Sequence, residues 1–383
     1  MKELIQKYYD EIIALNDFMA DNPEIGGEEY RASKRMVQLL ENHGIPVEYP
    51  FAGMDTAFRG IINKGKGRKA AILVEYDALR GLGHACGHCA SGSLSILAAL
   101  ILNDLKERIP AEIHVIGTPD EEMHGGKVPM VKAGVFNGMD FALMIHMSNK
   151  NALFSKFLAL DAYKFTFHGK SAHASSIPWE GRNALNSMRL FFDAMDMMRQ
   201  HLKDDVRLHG YIVKGGDASN IIPHYTEAEV LVRAASRNYL DQVSKWVMDC
   251  AQAAALATRT TWNVEEIGEK YDSLWRNISG EKVLENIYRD LGLALVDTSQ
   301  ETGGSSDIGN VSSVCPAFHP YLDIGKDLNP HTQEFAQAMK TNKTHRAIVL
   351  GGEIIARFVM DVYSIPGAIE EIIEEFKGGH GHE

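Results

Sequence analysis

Positive charge is in deficit: 39 Lys and Arg stand against 51 Asp and Glu in 383 residues, a formal net charge of -12. A nucleic-acid or anionic-membrane partner needs a basic face to displace counterions, so this imbalance turns the reading toward a small-molecule ligand. Cysteine is scarce too. Cys86, Cys89, Cys250 and Cys315 are too few and too scattered for a disulfide framework, and in a reducing compartment metal binding or plain burial is their natural use. No stretch approaches the roughly 18 unbroken apolar residues of a membrane span. The opening "MKELIQKYYDEIIALNDF" is broken by Glu3, Asp10 and Glu11, which excludes the apolar core of a signal peptide, so a cytoplasmic protein is expected.

Several familiar motifs are missing as well. "HGKSAH" contains a GKS, but the phosphate-loop pattern needs glycine where Lys164 stands. "GLGHAC" has Cys86 at the third glycine of a dinucleotide fingerprint, and "GKGRKA" leads into a strand instead of a helix. No HExxH helix occurs, which argues against a thermolysin-like site.

What is present is a chain too long for one core, so one large and one smaller domain are expected. Residues 1–157 alternate helix-like runs such as "MKELIQKYYDEIIALNDFMA" with strand-like runs such as "AEIHVIG", and "TAFRGIINKGKGRKAAILVEYDAL" reads as two strands joined by a Gly/Lys turn. "FALMIHMSN" reads as one further strand. Strands separated by helices imply a largely parallel sheet with its ligand site at the carboxyl ends of the strands. Residues 158–272 change to the order βαββαβ, complete in itself, and read as an inserted domain. Residues 273–383 return to the first style, with a final helix before "PGAIEEIIEEF" and a tail, "KGGHGHE", whose two histidines read as solvated.

The polar clusters fall at the expected strand ends. Cys86 and His88 are two residues apart in the Gly-flanked loop "GLGHACGHC", a spacing that lets both side chains reach one ion. "GTPDEEMHGG" sets Glu121 beside Glu122, and adjacent anions repel unless solvated or neutralised. A cation would neutralise them. In metal hydrolases one carboxylate holds the ion while another takes a proton from water, and neighbouring residues can divide those roles. His146 ends "FALMIH", and His331 in "LNPHTQEF" precedes a helix. Each feature alone has a bland reading, as an acidic loop or a satisfied core histidine. Together Cys86, His88, Glu122, His146 and His331 supply five N, O and S donors, enough for two ions sharing a ligand.

In this order "YDALRGLGHACGHC", "GTPDEEMHGGK", "HGKSAHASSIPWEGRNAL", "GGDASNIIP", "GSSDIGNVS" and "HT" at 331–332 resemble the M20 metallopeptidase family. The closest likeness is to its amidohydrolase branch of aminoacylase-1-like-2 and aminobenzoyl-glutamate hydrolase type. The resemblance implies an α/β zinc-peptidase-like catalytic domain with an inserted ferredoxin-like lid that mediates homodimerisation. It implies that Cys86, His88, Glu122, His146 and His331 are ligands of two divalent ions, with zinc favoured and manganese or cobalt also serving. It gives Glu121 the role of general base and makes Asp77 of "YDAL" the residue that orients a ligand. On the lid, His173 matches a histidine that steadies the oxyanion in a neighbouring subunit's site, and Asn220 and Arg233 match substrate contacts. Two positions depart from the branch, Arg80 where proline is common and Cys89 where Asp or Asn follows "HACGH". Cys89 is either an extra soft group near the ions or an inert buried thiol.

The expected activity is metal-dependent hydrolysis of amide bonds in N-acyl amino acids or short peptides. A catalytically silent metal-binding protein and an amidine or ureido hydrolase remain alternatives on the same scaffold.

Overall fold

In the computed structural model, which describes residues 1–298, 301 and 303–379, the chain divides into two compact units, Met1–Lys156 with the segment from Leu274 onward, and Phe157–Ser273. Helix α1 (Lys2–Asp21) buries Ile5, Tyr8, Ile12, Leu15 and Met19, a three-to-four spacing that presents one apolar stripe. Helix α2 (Tyr30–Asn42) repeats the pattern with Ala32, Met36, Val37 and Leu40. Strands β1 (Val47–Glu48), β2 (Phe58–Ile62) and β3 (Arg68–Val74) follow, then α3 (His88–Asp104) and β4 (Ala111–Gly117). Next come α4 (Lys127–Lys132), β5 (Phe141–Leu143) and β6 (His146–Ser148).

The second unit begins with β7 (Ala159–His168) and continues through α5 (Ala184–Met198), β8 (Arg207–Lys214), β9 (Tyr225–Ala234), α6 (Arg237–Thr258) and β10 (Thr261–Glu266). Its antiparallel sheet has the order β10-β7-β9-β8, the arrangement of a ferredoxin-like fold. Along β9, Ala228, Val230, Val232 and Ala234 alternate inward, and with Phe165 and Phe167 of β7 they pack under the two helices around Phe191. Strand β8 is an edge, and Tyr211, Ile212 and Val213 on it are exposed.

The chain then returns to the first unit with α7 (Ile278–Asp290), α8 (Ile308–Ser312), β11 (Ala317–Phe318), β12 (Tyr321–Asp323), α9 (Gln333–Ala338), α10 (Asn342–Ser364) and α11 (Ala368–Gly379). The main sheet has the order β1-β2-β4-β3-β5-β11. Pairings β4–β3, β3–β5 and β5–β11 are parallel, while β1–β2 and β2–β4 are antiparallel. The central strands β3 and β4 are covered on both faces, which is why β3 ends in the apolar run AAILV, while β4 carries Glu112 and His114, paired with each other at 2.7 Å. Helix α3 is buried along nearly its whole length among α1, α10 and β3.

The two strands expected on either side of the Gly/Lys turn are β2 and β3, and β4 inserts between them in the sheet. Two details differ from the sequence reading. "FALMIHMSN" is two short strands, and the second, β6, leaves the main sheet to pair with β12. "AIEEIIEEF" forms a helix of its own, α11, after a break at Pro366 and Gly367, where φ is +84°. The last four residues, which hold both tail histidines, lie outside the described residues.

Gly92 shows how closely α3 sits on the sheet: a Cβ there would lie 2.3 Å from the backbone oxygen of Glu75. Backbone cannot rotate away as a side chain can. Gly92→Ala is expected to cost about 1–3 kcal/mol of stability, the usual range for overpacking, measured by urea unfolding.

Candidate metal centre

The loop that carries Cys86 and His88 is built around Gly87. Its φ of +89° starts α3, and a Cβ there would approach Met147 Cβ to 2.9 Å, so glycine alone fits. This turn sets the Cys86 and His88 side chains on either side of a helix start. His88 Nδ1 lies 2.7 Å from Asp77 Oδ1, which leaves Nε2, 3.4 Å from Glu75 Oε2, as the ring nitrogen available to a metal. The other Asp77 oxygen accepts the backbone N–H of Glu122 at 2.9 Å. One buried carboxylate thus ties the two donor loops together.

The Glu121–Glu122 turn begins at Asp120, whose φ of +63° is unusual for a residue with a side chain. Its N–H donates to Glu29 Oε1 at 2.8 Å, and its carbonyl accepts from Gly126 N–H at 2.9 Å. Ser306 Oγ donates to Glu121 Oε1 at 2.7 Å. Burial, Asp307 and Glu75 push the Glu121 carboxyl well up, with Lys127 opposing them.

His146 opens β6 instead of ending a longer strand, a correction to the sequence reading. The chain leaves the main sheet after Leu143, and the turn delivers the imidazole toward Cys86, with Nε2 at 3.5 Å from Sγ. Its Nδ1–H donates to the carbonyl of Met147 at 2.8 Å, again freeing Nε2. Burial and His88 lower its pKa to about 4, so the ring is neutral with its lone pair available. His331, at φ +65°, is held by its N–H to the carbonyl of Ala85 at 2.8 Å, a direct tie from the last segment to the Cys86 loop. Its Nε2 lies 3.6 Å from Glu122 Oε1.

The donor atoms of Cys86, His88 and His146 lie within 4.8 Å of one another, and so do those of Cys86, Glu122 and His331. Cys86 belongs to both sets. Glu122 Oε1 is buried without a hydrogen-bond partner among the described residues, and burial pushes the Cys86 thiol far up, so a thiolate there calls for a cation beside it. Sulfur, imidazole nitrogen and carboxylate oxygen in this arrangement fit divalent ions. A third set, Glu75, Glu121 and Asp307, also falls within 4.8 Å, and His88, Glu121 and Glu122 form a fourth.

Glu75, Lys127, Asp307, Ser306 and Glu29 escape the sequence reading, although Lys127, Ser306 and Asp307 lie inside motifs quoted above. The available signal is a charge embedded in apolar surroundings, as in "AILVEYDAL". Cys89 is buried in the apolar core of α3 and belongs to none of the donor sets found among the described residues. Arg80 is exposed.

His173, Asn220 and Arg233 lie in the second unit. His173 Nδ1 accepts from the N–H groups of Ser175 and Ser176, each at 3.3 Å, which puts the proton of a neutral ring on Nε2. His173 pairs with Ile221, and the N–H of Ala174 donates to the carbonyl of Asn220 at 3.0 Å. Arg233 is half-buried on β9, with no hydrogen-bond partner for Nε among the described residues.

Comparison with known proteins agrees with this architecture. Residues 160–259 match the family model described as the peptidase dimerisation domain, M20_dimer. The chain is 34% identical to the Xaa-Arg dipeptidase of Mus musculus over 98% of its own length and 91% of that protein. It is 26% identical to a p-aminobenzoyl-glutamate hydrolase chain of Escherichia coli (strain K12), over 97% of this chain and 92% of the relative. A solved dinuclear metal binding peptidase from the M20 family of Bacillus subtilis superimposes with a TM-score of 0.72 at 18% identity, covering 91% of this chain and 99% of that one. At that identity the likeness shows a shared fold.

The buried Glu29 generates a prediction. Burial, with Asp77 adding, raises its pKa from 4.5 to about 7. The folded chain therefore holds a proton that the unfolded chain releases, and stability falls through this group as pH rises between those values. Glu29→Gln should gain stability relative to the wild type at pH 8 compared with pH 5, read as the difference in Tm by circular dichroism.

Proposed function

The chain belongs to the M20 family of metallopeptidases, and from that premise we propose that it cleaves the amide bond of a dipeptide or an N-acyl amino acid with Glu121 as general base. Cys86, His88, Glu122, His146 and His331 are the residues that would hold two divalent ions, zinc ahead of manganese or cobalt because thiolate and imidazole suit it. Such ions supply polarisation of the scissile carbonyl and a lower pKa for the attacking water. The observation that carries the reading is the pair of donor sets that share Cys86 while Glu121 stays outside both.

The steps fall to the chain's own groups. Ser306 holds Oε1 of Glu121, leaving the other oxygen to accept the proton that water gives up as it attacks. Glu121 then returns that proton to the departing amine. Burial and the neighbouring Asp307 and Glu75 raise its pKa, which favours its holding the proton between the two transfers. Asp77 keeps His88 in the tautomer that offers Nε2. Negative charge developing on the carbonyl oxygen needs a donor, and we infer that Nε2–H of His173 of the partner subunit provides it across a homodimer. Asn220 and Arg233 would hold the substrate's carbonyl and carboxylate. Four free thiols suit a reducing compartment, so we infer a cytoplasmic enzyme; among the described residues no helix is long and apolar enough to cross a membrane.

Dipeptides ending in arginine are the first substrates to try, given the Xaa-Arg dipeptidase relative, followed by N-acyl amino acids and aminobenzoyl-glutamate. Ammonia release from ureido or amidino acids without amide cleavage would overturn the substrate assignment. Glu121→Ala should keep its metal content and lose about 10²- to 10⁴-fold in kcat. Activity within a few fold of wild type would refute the base. Mixing Glu121→Ala with His173→Ala chains at equal amounts should restore about a quarter of the sites, since only one site of each mixed dimer carries both groups. No recovery after verified subunit exchange sinks the trans role.

A further inference from the structure

None of these steps uses the ammonium of Lys127. Lys127 and Asp307 are fully buried, with side chains 0% exposed, and Glu75 is 1% exposed. Lys127 Nζ is 2.5 Å from Glu75 Oε1 and 2.7 Å from Asp307 Oδ1, and the Lys127 backbone N–H donates to Asp307 Oδ2 at 2.8 Å. The three residues come from the end of β3, the first turn of α4 and the N-cap of α8. An ammonium taken out of water at this depth is destabilising unless it is paired and hydrogen-bonded. Two carboxylates meet that requirement here.

The arrangement around it is that of a cation site. Carboxylate oxygens of Glu75, Glu121 and Asp307 lie within 4.8 Å of one another, a spacing at which three anions repel unless a positive charge sits among them. The chain supplies that charge itself. Lys127 bonds two members of the set, whereas Glu121 takes its hydrogen bond from the neutral hydroxyl of Ser306. The result is selective: both oxygens of Asp307 and one of Glu75 are committed to Lys127, the other Glu75 oxygen faces His88 Nε2 at 3.4 Å, and Glu121 remains able to accept a proton.

We propose that Lys127 is a positioning residue for the hydrolytic reaction, a built-in cation that commits Glu75 and Asp307 and thereby holds Glu121 in place as the one carboxylate of the trio free for proton transfer. The proposal rests on Glu121 being the base. It differs from a purely structural ion pair in one respect. A pair that only stabilises can be replaced by neutral groups of similar shape with little loss, whereas a pair that orients a reacting group cannot.

The double variant Lys127→Met/Asp307→Asn separates these cases. Lys127→Met alone leaves three carboxylates without their cation and should lower Tm, while the double variant should recover most of that loss. Bound divalent ions per chain, counted by elemental mass spectrometry, should match wild type in the double variant, because no proposed metal ligand is altered. Its kcat should remain about 10- to 100-fold below wild type with KM within about threefold, the signature of lost orientation. Recovery of kcat together with Tm would overturn the proposal, and so would a fall in kcat that tracks loss of ions. Asp307→Asn alone keeps a carbonyl oxygen for the Lys127 N–H and decides the matter if the double variant does not fold: kcat reduced about tenfold at wild-type ion content supports the positioning role, and unchanged kcat ends it. Glu121→Ala run in parallel tests the base separately, so activity retained there defeats the underlying reading whatever the Lys127 variants show.

Discussion

Five carboxylates, those of Glu75, Asp77, Glu121, Glu122 and Asp307, gather where β3, β4 and the start of α8 end or begin, and the site depends on how their charge is offset. Asp77 spends its charge on His88 and on a backbone N–H. Glu75 and Asp307 share Lys127. Glu122 keeps a buried oxygen with no hydrogen-bond partner among the described residues, and the surroundings of the half-buried Cys86 push its thiol pKa up. The internal cations therefore run out where the two donor sets meet. Under the proposed function divalent ions would complete that electrostatic deficit, and Glu121 would lie between the part neutralised by protein and the part left for metal.

Holding such a cluster requires a scaffold that resists its repulsion. Strands β3 and β4, covered on both faces, and helix α3, buried among α1, α10 and the sheet, form a rigid floor whose strand ends all point one way. The donors themselves sit on turns with unusual backbone. Asp120 and His331 both have positive φ without being glycine, and each is anchored by a specific bond, Asp120 N–H to Glu29 and His331 N–H to the carbonyl of Ala85. The strain is local, and the surrounding packing and hydrogen bonds offset it.

Much of this site is legible in the chain because its donors come in short-range pairs. Cys86 and His88 flank the glycine that opens a helix, and Glu121 and Glu122 are neighbours just past an apolar strand, so type and spacing already point to metal hydrolysis. The alternation of apolar runs likewise announces the two-unit organisation and the largely parallel sheet. Other features resist such reading. In "GGKVPM" a lysine looks like a solvated surface charge, yet Lys127 is buried, and its partners Glu75 and Asp307 are 52 and 180 residues away. The insertion of β4 between β2 and β3 is equally silent, since pairing partners leave no mark on the periodicity of either strand.

Residue types and their local order determined which atoms could bind a cation, that one of two adjacent carboxylates could stay free beside it, and where most of the helices and strands run, because these follow from side-chain chemistry and backbone preference over a few residues. Tertiary structure alone decided that His331 docks on the loop of Cys86, that His146 turns out of the main sheet, and that Lys127 lies between two distant carboxylates. Those outcomes depend on which apolar surfaces pack together and on the cost of leaving a buried charge unpaired, and both are set by the whole fold.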